Sequence, residues 1–281
     1  MISLYVNSIG KDQRPLKSEE ITRYSRNILL KEVGMAGQKK LKESIVTIVG
    51  AGGLGSPSAL YLAAAGVGEI RIIDSDTVDL TNLQRQILFR SDQIGKLKAE
   101  EARKNLTALN PEIKLISYPN RLSPENIQEF FMDTDLVLEG SDNFYTKFLV
   151  NDFCVLNSIP FLVAGILRFE GQVMGVKSPD TPCYRCTFLD LPPEDSVPSC
   201  AEAGVLGSIA GTVGAIQAGE ALKYLLNGNS EVFGKILILE FMSLEFRKLT
   251  RKKNPNCPIC GKNPKWKDLT HFESISEVRH C

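Results

Sequence analysis

Short apolar runs alternate with stretches of helical period through the first two thirds of this chain. Candidate strands fall at residues 45–49, 69–73, 113–117, 135–138 and 160–164. Between them, residues 55–66, 95–109, 124–131 and 143–157 carry helical patterns. This strand–helix rhythm predicts an α/β fold with a mostly parallel, doubly wound sheet. Asn110-Pro111 should end the second of these helices sharply, because the residue before proline avoids the helical region.

The flanks break the rhythm. Met1 to Leu16 reads as a loose arm, and Ser18 can cap a helix that starts near Glu19. Gly34 and Gly37 are expected to break that helical stretch, with a short helix at 38–42 leading into the first strand. Beyond Gly165, residues 171–176 read as a strand, and Leu189 to Pro198 holds three prolines, which predicts a mobile crossover loop. Residues 207–226 form a long Gly- and Ala-rich helix that should pack closely against a neighbour, and two further strands follow near 235–241 and 244–249.

The bulk numbers narrow the class. At 43% hydrophobic and 23% charged over 281 residues, the chain can bury a substantial core. Its formal net charge is zero, so nothing global draws it to nucleic acid. No apolar run reaches the length of a membrane span, and the first residues lack a secretory apolar core. A cytosolic (cytoplasmic) protein is the expectation. Seven cysteines, an odd number, argue for metal or thiol chemistry over a disulfide scaffold.

Chemistry concentrates first between Val46 and Gln86. The turn Gly50-x-Gly52-x-x-Gly55 follows a strand and opens a helix, where free N–H groups and the helix dipole favour a phosphate. Asp74 ends the next strand, 19 residues after Gly55, where a carboxylate accepts hydrogen bonds from a ribose. That pattern alone favours NAD. Asn82-Leu83-Gln84-Arg85-Gln86 then adds polar and cationic groups that a nicotinamide dehydrogenase does not need, and Lys98 lies 13 residues beyond Arg85. Taken singly, each of these cations reads better as a solvated surface charge. Asp142, after the apolar run Leu136-Val137-Leu138, could hold Mg²⁺ or could cap the following helix.

Cys183/Cys186 and Cys257/Cys260 have knuckle spacing, and four thiolates suit a closed, structural Zn²⁺ site. Cys200 stands apart before the Gly/Ala helix. It is either a thiol activated near a helix start or a small packing residue. Neither His271 nor His280, both in the polar tail, makes a convincing catalytic base.

Taken in order, several segments resemble the MoeB/ThiF family, the bacterial relatives of ubiquitin-activating enzymes. They are Arg23 to Leu30, Gly50 to Gly55, Asp74 to Asp76, Asn82 to Gln86, Gly95 to Lys98, Ser141 to Asn143, Glu170 to Gln172, both cysteine pairs and Ser199 to Gly204. They span roughly residues 19–261. The resemblance implies a Rossmann-like domain over 1–261, followed by a tail at 262–281. Within the domain it implies an N-terminal helical arm over 1–44, a nucleotide-binding core over 45–165, and an antiparallel extension over 166–261 carrying the zinc site and the carrier surface.

The same resemblance implies adenylation, by MgATP, of the C-terminal carboxylate of a small ubiquitin-fold sulfur-carrier protein ending in Gly-Gly, with release of pyrophosphate. Carried over by position, Gly50, Gly52, Gly53, Gly55 and Asp74 hold the nucleotide. Asn82, Arg85 and Lys98 meet the phosphates, Gln86 is among the nucleotide-binding residues, and Asp142 positions Mg²⁺. Arg26 is expected to reach the phosphates from the other subunit of a homodimer, and Cys183, Cys186, Cys257 and Cys260 hold Zn²⁺. Cys200 aligns with a loop cysteine that links covalently to the carrier in some members and is dispensable in others. No rhodanese domain follows the second knuckle, so the sulfur donor is expected to be a separate protein. Molybdopterin and thiamine synthesis both stay open. So do two other classes, an NAD-dependent oxidoreductase and a non-catalytic nucleotide-binding scaffold.

Overall fold

The computed structural model describes residues 15–192 and 203–272. One eight-stranded sheet runs through it in the order β3-β2-β1-β4-β5-β6-β7-β8. The first five strands are Ile45–Val49 (β1), Glu69–Ile73 (β2), Lys114–Tyr118 (β3), Leu136–Glu139 (β4) and Phe161–Leu167 (β5), and they pair in parallel. Every residue of β1 and β4 is buried, which is why these strands read as near-continuous apolar runs, interrupted only by Thr47 and closed by Glu139. The chain winds outward from β1 to β3, then returns to start β4 on the other side of β1. The reversal makes a switch point beside the C-terminal end of β1, where open α/β sheets bind ligands.

Glu170–Val176 (β6), Lys235–Glu240 (β7) and Glu245–Thr250 (β8) extend the sheet beyond β5, each antiparallel to the strand before it. The predicted doubly wound core and antiparallel extension are therefore both present. The helices are Ser18–Arg23 (α1), Ser25–Ile28 (α2), Gly34–Glu43 (α3), Gly55–Ala65 (α4), Lys98–Leu109 (α5), Ile127–Phe130 (α6), Phe144–Leu156 (α7) and Gly207–Asn227 (α8). The last packs on α4 across bare backbone. A Cβ built on Gly214 would come within 2.5 Å of Leu54 O, so only glycine permits this approach. That accounts for Gly214, whereas Gly211 and Gly219 in the same helix have no atom within 4 Å of a built Cβ.

Four local expectations change. Ser18 is the first residue of α1 rather than its cap, and Glu20 instead accepts from the Lys17 N–H at 2.8 Å. Gly37 does not break a helix but lies within α3, where a Cβ would sit 2.9 Å from Leu226 at the end of α8, whereas Gly34, at φ +56°, opens α3 after the gap at 29–33. A further break falls at Tyr24, which is buried and accepts from Asn110 Nδ2 at 2.8 Å, so tertiary contact sets that boundary. Finally, α5 starts at Lys98 and not at Gly95, because Gly95 and Lys98 donate their N–H groups to Val78 and Asp76 of the preceding loop (2.8 and 2.9 Å).

Candidate nucleotide site at the switch point

The glycine turn begins where β1 ends. Gly50 sits at φ +88°, and a Cβ there would press within 3.1 Å of Ser141 N across the switch point. At Gly55 a Cβ would fall 1.8 Å from Gly50 O, so the start of α4 can close onto the turn only with glycine. Asp74, at the end of β2, is held by two backbone donors. Ala51 N donates to Oδ2 at 2.7 Å and Asp76 N to Oδ1 at 2.9 Å. Burial raises its carboxyl above the ordinary range, opposed by Lys98 and by those two N–H groups.

These groups line a cavity of about 430 Å³. Gly50, Gly52, Gly53, Asp74, Arg85, Gln86, Lys98 and Asp142, separate in sequence, all face it. Lys98 is almost fully buried at the first turn of α5 and donates to Asp76 Oδ2 at 3.0 Å. Arg85 is tethered by one bond, Nη1 to Thr81 O at 3.1 Å. Among the described residues, the only buried side-chain polar atom with no hydrogen-bond partner is Gln86 Oε1. An orphaned acceptor in the wall of a polar cavity calls for a donor from a ligand or water.

Asp142 is exposed at the loop after β4, and the helix cap is provided by its neighbour. Asn143 Oδ1 accepts from Thr146 N at 3.2 Å. The capping role that competed for Asp142 is thus filled, and its carboxylate is an oxygen donor suited to a hard cation such as Mg²⁺. Asn82 is not brought to the cavity wall: it ends a 3₁₀ turn at Leu80–Asn82, where its Oδ1 accepts from Asp79 N at 3.3 Å. Arg26 is exposed on α2 and does not line the cavity either. Cys200 lies outside the described residues.

Two residues beneath the site were not anticipated. Glu139, fully buried at the end of β4, accepts from Lys147 Nζ, and Lys147 lines the cavity. The signal was a carboxylate closing the apolar run Leu136-Val137-Leu138, since a buried charge must find a partner.

The cavity continues away from the polar end along Gly165, Ile166, Leu167, Gly171, Tyr184 and Ile238, mostly apolar or backbone. Tyr184 belongs to the first cysteine knuckle. The four sulfurs of Cys183, Cys186, Cys257 and Cys260 lie within 4.8 Å of one another, with the separations between bonded pairs at 3.3 to 3.9 Å. Tetrahedral Zn²⁺ with Zn–S bonds of about 2.3 Å requires S···S separations of about 3.8 Å, so the four thiols fit such an ion. Arg251 backs the cluster, donating from Nη1 to Cys183 O at 3.1 Å and from Nη2 to Gly175 O at 2.6 Å. Residues after the second knuckle stay attached. His271 Nε2 lies 2.8 Å from Asp152 Oδ2, and Phe272 is buried.

Comparison with known proteins gives a consistent picture. A family model described as the ThiF family matches residues 24–259. A sulfur carrier protein adenylyltransferase of Thermus thermophilus is 44% identical over 266 residues, covering 93% of this chain and 98% of the relative. A SAMP-activating enzyme E1 of Haloferax volcanii is 42% identical, covering 95% and 97%. A probable adenylyltransferase/sulfurtransferase MoeZ of Mycobacterium tuberculosis is 42% identical, but this chain spans 67% of its length. Among solved structures, E. coli MccB with ATP superposes with a TM-score of 0.75 at 25% identity, over 87% of this chain and 75% of that one. No helix among the described residues is long and apolar enough to cross a membrane.

Proposed function

This chain belongs to the ThiF family, and from that premise we propose that it is an adenylyltransferase: it transfers AMP from ATP to the C-terminal carboxylate of a small ubiquitin-fold sulfur carrier ending in Gly-Gly. The observation that carries the reading is the shape of the cavity. Its polar end gathers Asp74, Arg85, Lys98 and Asp142 around the glycine turn, and its other end is lined mostly by backbone and apolar side chains, with Glu170 and Gln172 beside them. A nucleotide at the first end and a narrow peptide tail along the second would meet inside one enclosure. Relatives named as carrier-activating enzymes, and a solved neighbour titled as MccB with AMPCPP and MccA, support a small polypeptide substrate.

In this mechanism a carboxylate oxygen of the carrier attacks the α-phosphorus of ATP. The new O–P bond forms as the bond to the β-phosphate oxygen breaks, and pyrophosphate leaves. No general base is required, because the nucleophile is already ionised at neutral pH. Asp74 accepts from the ribose, and Arg85 and Lys98 bind the phosphates, where a guanidinium serves two oxygens at once, while the Gln86 Oε1 acceptor takes a donor from the nucleotide. Asp142 would hold Mg²⁺, whose charge offsets that of the phosphates when it is bound. Arg26 acts from a second subunit, and Asn82 supports the turn that carries Arg85. The knuckles would hold a structural Zn²⁺. The sulfur donor is taken to be a separate protein, since the relative matched along nearly its whole length is named for adenylyl transfer alone. Molybdopterin, thiamine and related sulfur-transfer pathways would all use such an adenylate.

The test is ATP–pyrophosphate exchange with a Gly-Gly-terminated carrier added. Exchange should depend on the carrier, and Asp142→Ala should reduce it roughly 10²–10³-fold while carrier binding survives. Carrier-independent tight binding of NAD without exchange would return the protein to the oxidoreductases. Carrier binding without any exchange would make it a scaffold.

A further inference from the structure

A glutamate at the centre of a parallel sheet is expensive to bury. Glu139 has no exposed surface, and β4 is flanked by β1 at Val49 and by β5 at Val163. Desolvation pushes its carboxyl above the ordinary range, against the pull of Lys147 and Ser141. An apolar pair of similar volume would serve packing alone as well or better, so the charges ask for another reason.

Their bonds supply one. Lys147 Nζ, from the start of α7, donates to Glu139 and also to Ala164 O on β5 at 2.9 Å. The same carboxylate accepts from Ser141 N at 2.9 Å and from Ser141 Oγ. Gln217 Nε2 of α8 donates to Glu139 O and Leu162 O, both at 3.0 Å, which fixes the strand end itself. Ser141 is the residue before Asp142, and the Gly50 turn leaves no space for a Cβ beside its N–H. The backbone that carries Asp142 is therefore clamped from beneath by one ion pair and from the side by the glycine turn. Asp142 itself has no protein donor among the described residues to orient it.

We propose that Glu139 and Lys147 are positioning residues that hold the 140–142 backbone so that the Asp142 carboxylate stands ready for the cation-bound phosphates. This rests on the reading of the site as a MgATP site. Neither residue is assigned a contact with the phosphates. Their effect passes through Ser141, and it should be felt by the phosphate half of the site and not by the half around Asp74.

The decisive measurement is calorimetric titration of the full chain with MgATP and with AMP, on wild type and on the double variant Glu139→Gln/Lys147→Met, which removes both charges together. MgATP affinity should fall roughly 10–100-fold, the usual size of such an indirect loss, while AMP affinity changes less than about twofold. Adding Asp142→Ala to the double variant should cost little more, since both act through one group. Equal loss of MgATP and AMP affinity, or no loss of either, would overturn the positioning role. Should the double variant not fold, Ser141→Ala removes one bond to Glu139 without stranding a charge. It should then show the same split at smaller size, and an unchanged MgATP affinity would overturn the proposal. Wild type that binds AMP but gains nothing from MgATP would instead bring down the MgATP reading, and this proposal with it.

Discussion

Removing metal from the cysteine cluster is the perturbation whose size the structure defines best. The two knuckles lie 71 residues apart in sequence, from Cys186 to Cys257 (257 − 186 = 71). A tie between them closes a loop of that length, and loop-closure entropy for such a cross-link amounts to about 4 kcal/mol. The segment it holds also carries Arg251, Trp266 and His271, whose contacts with Gly175, Arg185 and Asp152 depend on the chain staying in place. For a domain of this size that corresponds to a melting temperature lower by about 10 °C. The assay is elemental analysis of the purified protein, then calorimetric melting before and after a strong chelator, then readdition of Zn²⁺. One zinc per chain, a drop of that order and recovery on readdition are expected. Because Tyr184 lies between two of the ligands and lines the apolar end of the cavity, KM for the carrier should rise more than KM for ATP. A melting temperature unchanged within about 2 °C after complete metal loss would refute the reasoning. The fold would then be closed by its packing alone.

Two more outcomes follow from the site and the sheet. If Arg26 completes the neighbouring subunit's site, Arg26→Ala and Asp142→Ala proteins, each inactive alone, should regain about a quarter of wild-type exchange when subunits are mixed equally, because half the dimers then hold one intact site; no recovery would end the cross-subunit role. Burial alone would raise the Glu69 carboxyl, but hydrogen bonds from Lys114 Nζ (2.8 Å) and Arg71 Nε (2.7 Å) outweigh it and hold the group below the ordinary range. Its contribution is therefore present at neutral pH and disappears as pH falls through the carboxylate range, so Glu69→Gln should cost about 0.5–1 kcal/mol near pH 7, moderated by solvent, and nothing in acid, as read by denaturant melts across pH.

How much of this was legible in the chain differs by feature. The central parallel strands were, because strands covered on both faces leave apolar runs that need no partner to be recognised, while β3, at the sheet edge and only partly buried, was read from the alternation of strands and helices. The glycine turn, Asp74 and the cysteine pairs were, because each is tied to a fixed offset by local geometry. The break at Tyr24 was not, since it depends on Asn110 reaching it from the end of α5. Gly37 misled for the same reason: it was read as a helix breaker, whereas it makes room for Leu226 within α3. Lys98 looked like a free cation, and only the fold brings Asp76 against it. Glu139 and Lys147 went unread because a pair eight residues apart gives no local pattern when one partner is on a strand and the other on a helix.

Helix α7 shows why such groups matter together. Its polar positions Asn143, Lys147 and Asn151 recur at intervals of four, so they share one face of a helix that is otherwise almost entirely buried. Asn143 caps the helix beside Asp142, Lys147 clamps Glu139, and Asn151 Oδ1 accepts from Tyr184 N at 2.7 Å inside the first knuckle. Next to it, Asp152 pairs with Arg185 and meets His271 from the segment after the second knuckle. One rigid helix therefore sets the spacing between the phosphate end of the cavity and the knuckle wall at its apolar end. On the proposed function, a nucleotide and a peptide tail reacting in that enclosure must be aligned to a fraction of an ångström, and loops could not supply that alignment. On this argument the buried polar groups of α7 are the part of the core that function requires, while its apolar face does the packing.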